Sequence, residues 1–164
     1  MNIDYLADHP EFIPILARQM AEHWRDIIPG EDSWRRFAAL NAHKNRDRLP
    51  LAWVAHENGQ PFGTCALRKC DLEGWERLTP WLAGVFVMPS VRGRGVAKEL
   101  CRVAEDKAWA WGAPRLYLHT PDRQGLYLHL GWQRLKMADW NGLETTIMVK
   151  ERTNVCARQL LRSK

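Results

Sequence analysis

The sequence predicts a mixed α/β layer fold of the α+β kind, in a single domain spanning 1–164. Three observations carry this. An Asn58-Gly59 hairpin signal joins two strand-like runs in the first half. A near-continuous apolar run, Trp81 to Met88, has the pattern of a strand buried on both faces. A helix-length segment and another strand follow it, and strand–helix–strand at this length implies a parallel crossover pair.

The elements follow in chain order. Asn2 to Leu6 reads as a short first strand. Glu11 to Ile28 places Phe12, Ile15, Leu16, Met20 and Trp24 at helical spacing, and Pro29-Gly30 stops it. Ser33 is the expected N-cap of a second helix to about Asn45, with Trp34, Phe37, Ala38 and Leu40 apolar. Leu51–Glu57 and Phe62–Asp71 are the hairpin strands. Pro89 closes the buried strand. The helix from about Gly95 to Trp111 draws its apolar face from Val96, Leu100, Val103, Ala104, Ala108 and Trp111. Gly112 sits where a left-handed C-cap belongs, and Pro114 prevents continuation. Arg115–Thr120 is the next strand. A short helix from Asp122 to Leu130 leads through Gly131 to strands near Trp132–Met137 and Glu144–Lys150. The basic, weakly amphipathic tail Thr153–Lys164 is expected to fray.

Composition limits the function classes. With 164 residues and 19.1 kDa, 46% hydrophobic and 26% charged, the chain is ordinary globular material with no repeat or linker. No stretch approaches the roughly 18 apolar residues of a membrane span. Asp4 and Asp8 stand where a signal peptide would carry lysine, so a soluble, cytoplasmic protein is expected. The net charge of +5 suits an anionic cofactor or substrate and is too small and scattered to argue for nucleic acid. Cys65, Cys70, Cys101 and Cys156 match neither a CxxC redox pair nor a zinc site, and read as reduced thiols. The nine tryptophans are expected mostly in the core, some lining a pocket for an apolar or cationic group.

The informative segment is Val87-Met88-Pro89-Ser90-Val91-Arg92-Gly93-Arg94-Gly95-Val96-Ala97, between the buried strand and its helix. Gly93 and Gly95 permit a sharp turn and close backbone approach to a ligand. Amides at the following helix N-terminus then favour an anion, and Arg92 and Arg94 add charge. This is the chemistry of a pyrophosphate cradle. No Gly-Lys-Ser/Thr follows, so it is no Walker loop, and the third glycine of a dinucleotide fingerprint is absent.

Arg92-Gly93-Arg94-Gly95-Val96-Ala97, preceded by Val-x-Pro, resembles the Arg/Gln-x-x-Gly-x-Gly/Ala signature of the GNAT superfamily of N-acetyltransferases. Leu126-Tyr127-Leu128-His129-Leu130-Gly131-Trp132 is similar to that family's second signature, aromatic-Tyr-x-x-Leu-Gly-aromatic. The likeness is specific over about Trp81 to Trp132. It implies a mostly antiparallel sheet with flanking helices, in which Trp81–Met88 and Arg115–Thr120 form a parallel pair that splays apart. It also implies acetyl-CoA as acetyl donor and no metal. By position, the backbones of Val85, Phe86 and Val87 would hold the pantetheine amides and the acetyl carbonyl. Arg92, Gly93, Arg94, Gly95, Val96, Ala97 and Lys98 would hold the pyrophosphate, mainly through backbone amides. Thr120 stands where relatives often carry Asn to hold the cofactor, and its hydroxyl would substitute in part.

Transfer to an amine needs a neutral nucleophile, yet an alkylammonium is neutral only about one part in a few thousand at pH 7. A positioned base therefore helps. Glu76 and His119 are the candidates, with Glu22 and Asp26 reading as a solvated helix face and His129 as a surface residue. Tyr127 is the candidate to assist the departing sulfur. Full proton transfer from a tyrosine to a thiolate runs uphill by roughly 2 kcal/mol, so a hydrogen bond or a relay is the expected role. The reading is an acetyl-CoA-dependent N-acetyltransferase for a small-molecule or peptide amine, with a homodimer admissible. The alternative is a CoA-binding sensor or regulatory module that keeps the fold without turnover. A nucleotide-binding reading lacks a lysine or a magnesium ligand set.

Overall fold

Alternation with period two sorts the central strands between two cores. Leu51, Trp53 and Ala55 belong to one buried cluster, Ala52 and Val54 to another. The computed structural model describes residues 1–153. Its strands are β1 (Asn2–Tyr5), β2 (Leu51–Glu57), β3 (Gln60–Arg68), β4 (Trp81–Val87), β5 (Arg115–Thr120), β6 (Gln133–Trp140) and β7 (Leu143–Glu151). They form a seven-stranded sheet in the order β1-β2-β3-β4-β5-β7-β6. Every neighbouring pair is antiparallel except β4 with β5. Helices α1 (Ile13–Trp24) and α2 (Ser33–Ala42) cover one face, where Leu16, Met20 and Leu40 pack with Ala52, Val54 and Phe86. Helix α3 (Val96–Ala110) covers the other with Leu100, Ala104 and Ala108, and short α4 (Gln124–His129) joins that core through Tyr127.

The predicted elements are present, with shifted ends. The first helix begins after a 3-10 turn, Pro10–Phe12, and ends at Trp24 rather than Ile28, because the amides of Ile27 and Ile28 both turn back to the Trp24 carbonyl. Asp32, not Ser33, caps α2: its carboxylate accepts the Arg35 amide at 2.7 Å. That helix stops at Ala42, short of Asn45. β3 runs from Gln60 to Arg68, earlier than expected at both ends, and β6 continues to Trp140. Residues 154–164, which hold most of the tail expected to fray as well as Cys156, lie outside the described residues. No helix among the described residues is long and apolar enough to cross a membrane.

The tryptophans divide. Trp53, Trp81 and Trp132 are buried, whereas Trp34 is 79% exposed, so the expectation of a mostly core set holds only in part. Trp132 is tied in by chemistry as well as packing. Its Nε1 donates to the buried Glu105 of α3 at 2.9 Å, and the second Glu105 oxygen accepts from Lys150 of β7 at 2.6 Å. Lys150 also donates to the Leu130 carbonyl at 2.7 Å, which locks the turn after α4 to the sheet. At the other end, Asp4 of β1 accepts from His56 of β2 at 2.7 Å, and that bond holds its carboxyl below the ordinary value.

One irregularity shapes the molecule. Ala83 pairs with Ala66 and Phe86 with Thr64, so Gly84 and Val85 together oppose the single residue Cys65. This is a β-bulge, and Gly84 adopts φ +56°, a left-handed conformation that a side chain resists. β4 and β5 share one paired position, Trp81 with Tyr117, and part beyond it. Just past the bulge, β3 approaches β4 closely: a Cβ built on Gly63 would stand 2.4 Å from the Phe86 carbonyl oxygen. Gly63→Ala is therefore expected to destabilise the fold by about 1–3 kcal/mol through overpacking against backbone. Thermal or urea unfolding of the two proteins measures it.

Candidate active site

The parting of β4 from β5 leaves the Val85–Val87 edge without a strand partner on that side. A cleft of about 410 Å³ opens there, walled by β4, the loop after it, the start of α3 and α4. Val85 and Val87 line it from the strand, and Arg92, Gly93, Gly95, Val96, Ala97 and Lys98 from the loop and helix. Gly93 and Gly95 both take φ +78°. Gly95 caps α3 without any side-chain acceptor, and the first helical bond runs from the Glu99 amide to the Gly95 carbonyl at 3.1 Å. The amides of Val96, Ala97 and Lys98 precede that first bond, so they lack helical partners and form the positive end of the helix dipole. Arg92 pins the loop to the strand by donating to the Val87 carbonyl at 3.0 Å. An unpaired strand edge leading to an anion cradle fits a ligand with an amide chain and a phosphate end.

Tyr127 lines the same cleft, its ring edge-on to Trp132 at 6.2 Å. Burial pushes its hydroxyl well above the ordinary tyrosine value. Other expected residues fall elsewhere. The Phe86 side chain packs in the opposite core against Trp24 and His23, as alternation requires of a residue expected to act through its backbone, and Arg94 is exposed outside the lining. Thr120 is buried, and its hydroxyl accepts the Arg123 amide at 3.0 Å, so it caps the turn before α4 rather than lining the cleft. Glu76 is exposed on the β3–β4 connection, where its own amide and that of Gly74 hold it below the ordinary carboxyl value. It lines neither of the two cavities around the bulge. Glu22 is spent on an exposed ion pair with Arg25, and His129 bonds the Gly125 carbonyl.

His119 belongs to a second cavity, of about 210 Å³, on the α1–α2 face. There its Nδ1 lies 3.0 Å from the Thr145 hydroxyl and its Nε2 3.5 Å from Asp71, whose other oxygen accepts from Arg68 at 2.7 Å. Trp24, Arg36, His43, Gly84 and Trp140 also line this cavity. Neighbours in sequence divide between the two cavities on three segments. Trp24 faces the second and His23 the cleft; Gly84 and Val85 divide likewise, as do Pro121 and Asp122. The division between Gly84 and Val85 falls at the bulge.

His23 is the residue sequence reasoning missed. It lies between the two α1-end acids considered earlier, Glu22 and Asp26, but periodicity alone did not give the rotation that aims it at the cleft. Burial, then the nearby Arg92 and Arg123 charges, lower its pKa below the ordinary histidine value, which favours neutral imidazole at pH 7. Cys65 and Cys101 are inert by the same physics. Burial raises both Cys65 and Cys101, the latter to about 12.

A splayed parallel pair with an anion cradle at the following helix is the frame of the site, and the comparisons specify the class of protein it belongs to. Residues 13–132 match the model of the acetyltransferase (GNAT) family, and the chain belongs to that family. It is similar to the uncharacterized N-acetyltransferase YjgM of Escherichia coli (strain K12), 31% identical over 90 residues. That match covers 52% of this chain and 53% of YjgM, so it spans about half the length of the curated relative. Among solved structures, an aminoglycoside 6′-N-acetyltransferase complexed with coenzyme A superposes with TM-score 0.74 at 14% identity, covering 94% of this chain and all (100%) of that one. The ribosomal-protein-alanine N-acetyltransferase from Brucella melitensis gives 0.71 at 20% identity, over 93% and 100% of the two chains. At these identities the likeness is one of fold.

The cradle makes a prediction. Coenzyme A at 100-fold excess over its dissociation constant should stabilise the protein by about 2.7 kcal/mol, read as a raised Tm. Gly95→Asp places a carboxylate against the helix amides and should abolish that rise, while its left-handed backbone costs only about 1–2 kcal/mol in the free protein.

Proposed function

We propose that this protein is an N-acetyltransferase that moves an acetyl group from acetyl-CoA to a primary amine by direct attack. The observation that carries the reading is the pair of cavities lined from the two residues of the Gly84–Val85 bulge: an anion-cradled cleft on one side, and a pocket with aromatic walls and titratable groups on the other. The uncapped α3 amides and Arg92 suit a pyrophosphate, and the free β4 edge suits the amides of a pantetheine arm. A thioester carbonyl brought to the bulge would then face an amine arriving through the second pocket.

The residues divide the work. His23, neutral at pH 7, takes the proton that the ammonium must lose before or during attack. A β4 amide within Val85–Val87 donates to the oxygen on which charge develops. Tyr127 donates a hydrogen bond to sulfur as the C–S bond breaks. Its raised pKa makes complete proton transfer more uphill than for an ordinary tyrosine, and a bond to an anionic sulfur strengthens in the transition state alone. The amine nitrogen gains the acyl carbon, the thiolate leaves and takes a proton from water, and the amine's proton passes through His23 to solvent.

Thiol release on an amine panel tests the reading, and a protein that binds coenzyme A yet turns over no amine would sink it. Tyr127→Phe should lower kcat by about 10²–10⁴-fold on the best amine while leaving the coenzyme A Kd nearly unchanged. In wild type, kcat/KM should fall only as pH drops through a value below 6.5, because the basic form of His23 persists to that point. His23→Gln should lower the plateau and remove that acid limb. Cys65→Ala and Cys101→Ala should each retain substantial turnover, and no acetyl-cysteine should be trapped.

A further inference from the structure

The second pocket carries more than a place for an amine. On the acetyltransferase reading above, we infer that the acceptor is a compact amino carboxylate: one primary amine and its own carboxylate on an apolar or aromatic body, rather than a polycation. The charge inventory of the walls carries this. Arg36, Arg68 and Asp71 are the acidic and basic side chains of the lining besides its two histidines, and burial lowers the pKa of His43, which keeps it neutral near pH 7. Asp71 is the sole carboxylate in that lining among the described residues. It is already shared between Arg68 at 2.7 Å and His119 at 3.5 Å. An acceptor with several ammonium groups would shed water from each and find one occupied counter-charge, a net cost.

The guanidinium groups point the other way. Arg36 gives Nε and Nη2 to Glu31, both at 2.9 Å, and lies over the Trp24 ring at 5.1 Å. That leaves its Nη1 unspent. Arg68 gives Nη1 to Asp71 and keeps Nε and Nη2. The free Nε and Nη2 of Arg68 form an edge that matches the two oxygens of a carboxylate, and Arg36 adds a single N–H group. Glu31 and Asp71 hold both side chains in place before a ligand arrives, which lowers the ordering cost of binding. Around them Met20, Trp24, Leu40 and Trp140 supply apolar wall, and the cavity of about 210 Å³ suits a single compact body.

The test compares kcat/KM for the twenty common amino acids and, for the best of them, for its primary amide and its decarboxylated amine. Spermidine and an aminoglycoside serve as polycations. The best amino acid should exceed its amide and its decarboxylated amine by at least tenfold, and both polycations by more. Arg68→Gln should raise the amino acid KM at least tenfold while the coenzyme A-induced Tm rise stays intact. Equal or better turnover of the amide, the decarboxylated amine or a polycation would overturn this inference and leave the acetyltransferase reading standing. If coenzyme A binds and nothing turns over, that reading fails instead. Calorimetric titration of the same compounds into coenzyme A-saturated protein then decides the pocket's preference: binding of the amino acid but not its amide upholds it, and the reverse or equal binding overturns it.

Discussion

The site depends on β4 leaving its neighbour. A continuous parallel pair would satisfy every backbone group between β4 and β5 and would close the sheet. Here pairing ends after Trp81 and Tyr117, and a bulge at Gly84 breaks the regular register of the strand. The cost is a strand edge without partners, which folded proteins ordinarily cover. The return is a slot whose walls already carry donors and acceptors at strand spacing. Gly84 owes its identity to its backbone: a Cβ there would meet only the Met20 methyl at 3.9 Å, an ordinary contact, but φ +56° is costly for any other residue.

Around that opening the two faces of the sheet do different chemistry. On the α3 side the fold gathers unspent amides at a helix end, where partial positive charge is fixed in place and needs no reorganisation. On the α1–α2 side it gathers side chains that neutralise one another in pairs, Arg36 with Glu31 and Arg68 with Asp71. The first arrangement attracts a multiply charged anion. The second is a set of ion pairs close to neutral, with single charges held at fixed places. Stability and function are joined through Glu105, whose bonds to Trp132 and Lys150 hold α3 and the end of α4 in fixed relation. The cleft lies between those two helices, so the same ion pair that anchors the core keeps Tyr127 and the cradle in register.

Tyr127 and His23 show how desolvation and neighbouring charge tune the site. Both are moved away from ionisation, the tyrosine upward and the histidine downward, so each is uncharged at pH 7. A neutral donor and a neutral acceptor facing one cleft can serve charges that exist only in passing. His119, by contrast, has Thr145 on one ring nitrogen and Asp71 on the other, and its neighbours hold it as part of the pocket wall.

The order of strands and helices, the hairpin at Asn58-Gly59 and the cradle at Arg92–Lys98 were legible in the sequence because each is a local pattern. Spacing over a few residues reports which side chains share a face, and paired glycines before a helix report where backbone turns. Helix ends were less legible, since a cap such as Asp32 in place of Ser33 turns on one hydrogen bond. What the sequence left open is the phase of one element against another. Nothing local says that His23 faces the cleft while Trp24, its neighbour, faces the second pocket, or that Asp71 and His119 meet Arg36 and Trp140 there. The positions that form that pocket come from segments far apart in the chain, and their meeting is set by packing on both faces of a bulged sheet. Periodicity names the buried face of each piece; only the assembled core decides which faces look at each other.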